Sequence, residues 1–144
     1  MEARLTSLID RVRAAKRVYI IGNGGSAANA MHIANDLVSC GIRAHALTAD
    51  IATFSAIAND YGYENVFSRQ IEVFGESDDL LIALSGSGKS PNILKAIDTA
   101  QDIGMSIWRI FGNERGENMQ QAEETQLKIG HDLMRVLRYT ERRR

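Results

Sequence analysis

Cysteine is nearly absent. Cys40 is the only one in 144 residues, so no disulfide can form within the chain and nothing points to an oxidised, secreted fold. Proline is equally scarce: Pro91 stands alone, and no Pro-rich or Ser/Gly-rich linker divides the sequence. Excess charge of one sign is missing too. The chain carries 17 Lys and Arg against 18 Asp and Glu, a formal net charge of −1. Such a balance gives no global pull on nucleic acid or anionic lipid. No run of about 18 apolar residues occurs, so no membrane span is expected. The first residues include Glu2 and Arg4 and lack a continuous apolar stretch, which argues against a signal peptide. Together these absences predict a cytoplasmic protein.

What is present suits one globular domain. Hydrophobic residues make up 44% and charged residues 24%, ordinary values for a folded soluble chain. A chain of this length buries roughly 68–70% of the surface that its unfolded form exposes, enough for a core without staples. A single domain over 1–144 is expected.

Periodicity then assigns elements. Leu5, Leu8, Ile9 and Val12 recur at helical spacing over residues 2–15. Arg17-Val-Tyr-Ile-Ile-Gly22 reads as a buried strand, Ala27 to Val38 as a helix, and Arg43 to Leu47 as a weak strand. Residues 51–58 and 64–74 read as helices around a turn at Asn59-Asp60-Tyr61-Gly62. Asp79 to Leu84 is the clearest buried strand. Pro91 suits the first position of the helix that follows, and Gly104 its end. Ser106 to Phe111 is a further strand; from about residue 115 the chain is helical, with a break at Gly130. Strands alternating with helices predict an α/β three-layer αβα sandwich with a parallel sheet of four to five strands. Ligands in such sheets sit at the carboxyl ends of the strands.

Two loops occupy that position. Gly22-Asn-Gly-Gly-Ser-Ala27 leaves a strand and opens a helix, where backbone N–H groups favour an anion. It also fits the G-x-G-x-x-A dinucleotide pattern, but no acidic residue ends the second strand, since Asp50 comes too late. Ser85-Gly86-Ser87-Gly88-Lys89-Ser90 imitates the end of a nucleotide P-loop, yet Ala83 stands where that motif needs glycine. Its three hydroxyls before a helix suit a small phosphate monoester, with Ser90 as a plain N-cap the alternative.

His32 and Asp36, at i and i+4, share one helix face and can supply two metal ligands. Glu123 and His131 are eight apart, about 12 Å along one straight helix. Both cannot bind one ion from it; either the helix begins after Glu123 or a neighbouring subunit completes the site. His45 matches no motif and reads as structural. The basic tail, Arg135, Arg138 and Arg142-Arg-Arg144, reads as a solvated helix end.

In order along the chain come Gly22-Asn-Gly-Gly-Ser26, Ala-Met-His32, Leu47-Thr-Ala-Asp50, Ala58-Asn-Asp-Tyr-Gly62, Phe67-Ser-Arg-Gln70 and Ser85-Gly-Ser-Gly-Lys-Ser-Pro-Asn92. This series resembles the sugar isomerase (SIS) domain family, and within it the phosphoheptose isomerases. The resemblance implies a flavodoxin-like SIS fold and the conversion of sedoheptulose 7-phosphate to D-glycero-D-manno-heptose 7-phosphate, an early step toward lipopolysaccharide heptose. It implies substrate contacts from Asn23, Gly24, Gly25, Ser26, Asn59, Asp60, Ser85, Gly86, Ser87 and Ser90. It implies zinc at His32, Asp36, Glu123 and His131, with Asp36 and His131 as acid–base groups. A homotetramer with the site at a subunit interface is implied as well. Gly86 stands for the family's usual threonine, Lys89 for asparagine, Asp36 for glutamate and Glu123 for glutamine. A strand and a Ser/Asp-rich loop usual in the family are missing before the final helix.

Three readings from different classes remain. One is an isomerase acting on a phosphosugar. Another is a non-catalytic SIS module that binds a phosphosugar or a protein partner, of the type associated with replication initiators. The last is a dehydrogenase resting on the glycine pattern alone. His32 and His131 separate the first two, because a pure binding module has no chemical need for them.

Overall fold

The computed structural model describes residues 3–142. Four strands, β1 (Val18–Ile21), β2 (Ala44–Ala46), β3 (Leu80–Ser85) and β4 (Ser106–Phe111), form one sheet in the order β2-β1-β3-β4. Every pairing is parallel, with Val18 opposite both Ala44 and Leu80, and Leu80 opposite Ser106. Six helices accompany them: α1 (Ala3–Ala14), α2 (Gly25–Ser39), α3 (Ile51–Tyr61), α4 (Ser68–Phe74), α5 (Pro91–Ile103) and α6 (Met119–Arg142). This is the expected αβα sandwich, with the sheet at the lower of the two expected strand numbers.

The alternation of side chains along β1 and β3 divides the core in two. Val18, Ile20, Leu80, Ile82 and Leu84 face a cluster filled by Leu8, Ile9 and Val12 of α1, Ile33 and Leu37 of α2, and Leu133 and Leu137 of α6. Tyr19, Ile21, Leu81 and Ala83 face the other, with Phe67, Ile71, Ile93, Ala96 and Ile97. Burial on both faces explains why β1 and β3 read as continuous apolar runs. The outer edge of β4 is capped rather than left bare: Arg11 Nη1 donates to Ser106 Oγ (3.0 Å) and Ile107 O (3.1 Å).

Several boundaries differ from expectation. Asn59, Asp60 and Tyr61 belong to α3, which stops at Gly62, where φ is +94°. A 3₁₀ turn at Tyr63–Asn65 precedes α4, so residues 64–74 are not one helix. Gly130 does not break α6. It faces Ile33, and a Cβ there would lie 2.6 Å from Ile33 Cγ1. The glycine serves close packing of two helices, which no local pattern reveals. Of the termini, Glu2, Arg143 and Arg144 lie outside the described residues.

Candidate active site

The site grows from the carboxyl ends of β1 and β3. β1 runs into Gly22-Asn-Gly-Gly, and α2 begins at Gly25, two residues before the expected start. Asn23 is locked in place. It exchanges amide hydrogen bonds with Asn92 at the start of α5 (2.9 and 2.8 Å), and Tyr63 donates its hydroxyl to Asn23 Oδ1 (3.1 Å). The second loop is folded on itself: Ser85 Oγ accepts from Gly88 N–H (2.9 Å) and Ser87 Oγ from Lys89 N–H (3.1 Å). Ser90 sits at the N-cap of α5, but its side chain makes no capping bond. Its hydroxyl is thus left to other partners.

The two loops share a cavity of about 40 Å³. Asn23 and Ser26 line it from the first loop, Ser85, Gly86, Ser87 and Ser90 from the second, and Met119 closes it from α6. The N-terminal end of α5 opens beside it, adding partial positive charge.

The second feature lies along α2. Contacts between α2 and α6 climb together in sequence: Gly25 with Glu123, Ser26 and Asn29 with Gln126, His32 with His131, Ile33 with Gly130, Ser39 with Arg138. The helices therefore run side by side in the same direction. Gln126, fully buried, fixes their register by donating to Ser26 Oγ (3.0 Å) and accepting from Asn29 Nδ2 (3.0 Å). One to two turns further on, His32, Asp36 and His131 converge, with ligand atoms all within 4.8 Å of one another. The two histidines meet Nε2 to Nε2 at 3.0 Å, and Asp36 Oδ2 lies 3.3 Å from His32 Nε2.

This group suits a metal ion. Asp36 Oδ2 is buried and makes no hydrogen bond even though His32 Nε2 lies 3.3 Å away, and a buried acceptor left so costs about 1–3 kcal/mol unless a further group compensates it. Two facing imidazole nitrogens cannot both offer lone pairs to each other, but both can offer them to a cation. Two nitrogens and a carboxylate oxygen are zinc-type donors, and three protein ligands leave a position open.

Glu123 stands apart from that group. α6 starts before it and runs straight through His131, so both lie on one helix, and the described residues that gather are the other three. Glu123 instead rests on the first loop: a Cβ on Gly25 would lie 2.6 Å from its Oε2. A carboxylate is favoured there by the N-terminal end of α2. It also fills the place where the dinucleotide reading would put a pyrophosphate. Asn59 and Asp60 are exposed on the last turn of α3, and the hydrogen bond they make is with each other (2.9 Å). His45 lies on β2 and stacks on Tyr19, ring centroids 6.1 Å apart. Sequence reasoning did not single out Asn92, Tyr63, Gln126 or Met119, because each acts through a contact distant in sequence. Asn92 ended a quoted motif without being given a role, and was the one within reach.

The SIS domain family model matches residues 1–112. The chain belongs to the SIS domain family. It is 42% identical over 116 residues to the phosphoheptose isomerase of Helicobacter pylori (strain P12), which covers 76% of this chain and 60% of that relative. It is 50% identical over 107 residues to the phosphoheptose isomerase of Burkholderia pseudomallei (strain 1710b), 70% of this chain and 54% of the relative. The chain thus spans little more than half the length of the curated relatives it matches. Among solved structures, phosphoheptose isomerase from Neisseria gonorrhoeae superposes with a TM-score of 0.86 at 25% identity, over 92% of this chain and 84% of that one. The resemblance carried by the sequence motifs holds at the level of the SIS family, and the three relatives named above are phosphoheptose isomerases.

Proposed function

We propose that this chain is a phosphosugar isomerase of the phosphoheptose type, converting D-sedoheptulose 7-phosphate to D-glycero-D-manno-heptose 7-phosphate by enediol proton transfer. One observation carries the proposal: a hydroxyl-lined cavity at the strand ends and a His/Asp group lie on the same α2–α6 seam. Seven residues of α2 separate Gly25 from His32, a rise of about 10 Å. A substrate can lay its phosphate in the first and its carbonyl end toward the second.

In this reading Ser85, Ser87, Ser90 and the bare backbone of Gly86 hold the phosphate. Asn23, Gly24, Gly25 and Ser26 hold sugar hydroxyls. Asp36 and His131 move the proton, one abstracting it from the carbon beside the carbonyl and the other managing the proton on oxygen. His32 and Asp36 would hold zinc, which when bound polarises the carbonyl; His131 can complete that ligand set or act as the base, but its single Nε2 lone pair cannot do both. Glu123, expected as a fourth ligand, would instead contact substrate at the first loop. Asn59 and Asp60, exposed on α3, would contribute through a homo-oligomer, a tetramer by family resemblance, that shares sites between subunits. The reading extends to one SIS domain over 1–144 working in the cytoplasm toward lipopolysaccharide heptose.

The test is proton exchange followed by NMR, with sedoheptulose 7-phosphate in D2O and zinc supplied. Deuterium at the carbon next to the carbonyl, together with an aldose product, is expected. His131→Ala should slow it by about 100-fold or more. Saturable binding with no exchange would overturn the isomerase and leave a phosphosugar-binding module.

A further inference from the structure

Asn92 is an odd residue for its place. It stands second in α5, directly after Pro91, and asparagine is a poor helix former. Asparagine serves a helix best from the cap position, which Ser90 holds here. Asn92 is 3% exposed, and its amide turns to another element.

That element is the loop after β1. Asn92 Nδ2 donates to Asn23 Oδ1 (2.8 Å), and Asn23 Nδ2 donates to Asn92 Oδ1 (2.9 Å). One hydrogen bond leaves an amide free to turn about it. Two in parallel between the same two amides fix the plane of both, as in other two-pronged pairs. Tyr63, from the turn after α3, adds a third bond from its hydroxyl to Asn23 Oδ1 (3.1 Å). Its own ring rests edge-on against Phe54, centroids 5.7 Å apart.

The consequence is a fixed span. β1 and β3 are neighbours, so the loops that leave them lie side by side. The second loop closes on itself through Ser85 and Ser87, and α5 continues from it. The amide pair therefore ties the first loop to the segment that carries the hydroxyls. Asn23 lines the same cavity as Ser85 and Ser90. A ligand that sets its phosphate on the serines and a sugar oxygen on Asn23 needs the distance between them held. A misplacement of about 1 Å can cost on the order of 100-fold in rate.

We propose that Asn92 and Tyr63 are positioning residues: they hold the Asn23 amide at a set distance from the phosphate loop, so that it meets a sugar oxygen of a ligand whose phosphate lies on the serines. The proposal rests on the phosphosugar reading and adds to it the residues that hold its sugar-facing side.

Calorimetric titration of the full chain with sedoheptulose 7-phosphate and with inorganic phosphate tests it. The phosphosugar spans both loops, whereas inorganic phosphate needs the second alone. Asn92→Ala should weaken phosphosugar binding by about tenfold, the scale of one or two lost hydrogen bonds, and leave inorganic phosphate binding as in the wild type. Tyr63→Phe, which keeps the ring and loses the hydroxyl, should act in the same direction and less strongly. In an Asn23→Ala background, Asn92→Ala should cause no further loss, because the amide that it positions is gone. Should Asn92→Ala fail to fold, judged by circular dichroism, Asn92→Asp takes its place: it has the same size, and its second oxygen faces Asn23 Oδ1 in place of a donor. An equal loss for both ligands, or a loss undiminished in the Asn23→Ala background, overturns the positioning role alone. Absence of phosphosugar binding in the wild type overturns both this role and the phosphosugar reading.

Discussion

Asp50 shows how a single carboxylate sets the entry to an element. It caps α3: Oδ1 accepts from the N–H groups of Ala52 (3.1 Å) and Thr53 (3.3 Å), and Oδ2 accepts from Thr53 Oγ1 (2.8 Å). The Thr53 hydroxyl above all, then the Thr53 and Ala52 N–H groups, holds its pKa below the usual carboxylate value. A depressed pKa means that folding favours the ionised form. The stabilisation is complete above the ordinary carboxylate pKa of about 3.9 and fades as pH falls through the lower folded-state value. Asp50→Ala should therefore lower Tm at pH 7, and the gap from wild type should shrink in acid. Thermal melts by circular dichroism across pH would show it; a gap independent of pH would mean that the cap does not act through charge. In the sequence Asp50 stood out as the end of one motif in the series and as an acid too late for the dinucleotide pattern. Its capping role needed the start of α3, which the 51–58 periodicity did place.

At the scale of elements, the seam between α2 and α6 decides most of the site. Helix propensity alone would make Gly130→Ala stabilising by about 1 kcal/mol. The close approach of Ile33 reverses the sign, because an added methyl must displace a packed side chain. Gly130→Ala should destabilise by about 1–3 kcal/mol, read from chemical denaturation; a gain in stability would show that the helices separate freely. The same seam marks where sequence reasoning ran out. Alternating strands and helices, the two glycine–serine loops, and the i, i+4 pair of His32 and Asp36 are local patterns, and local patterns were legible. Gln126 reaches Ser26 across 100 positions and Asn92 reaches Asn23 across 69. Nothing within one turn of those residues announces their partners. Gly130 looked like a break for the same reason: its neighbour in space is 97 positions away in the chain.

At the scale of the whole molecule, α3 has no buried residue, and it carries Ile51 at 69% and Tyr61 at 54% exposure. A homo-oligomer would cover such a surface and bring Asn59 and Asp60 toward a shared site. Light scattering should then return a multiple of the 15.9 kDa chain mass; a particle of 15.9 kDa would remove the shared-site model. The parallel seam also limits how this chain tolerates insertions. One residue added to α6 between Gln126 and His131 turns everything beyond it by about 100°. With Gln126 pinned, such an insertion would carry His131 round the helix and away from His32. A deletion would do the same in the other direction. The connection from Phe111 to Met119 lies ahead of Gln126 and is held separately, by Asn113 N–H donating to Gly86 O (2.9 Å). Changes in chain length there leave the helix in phase.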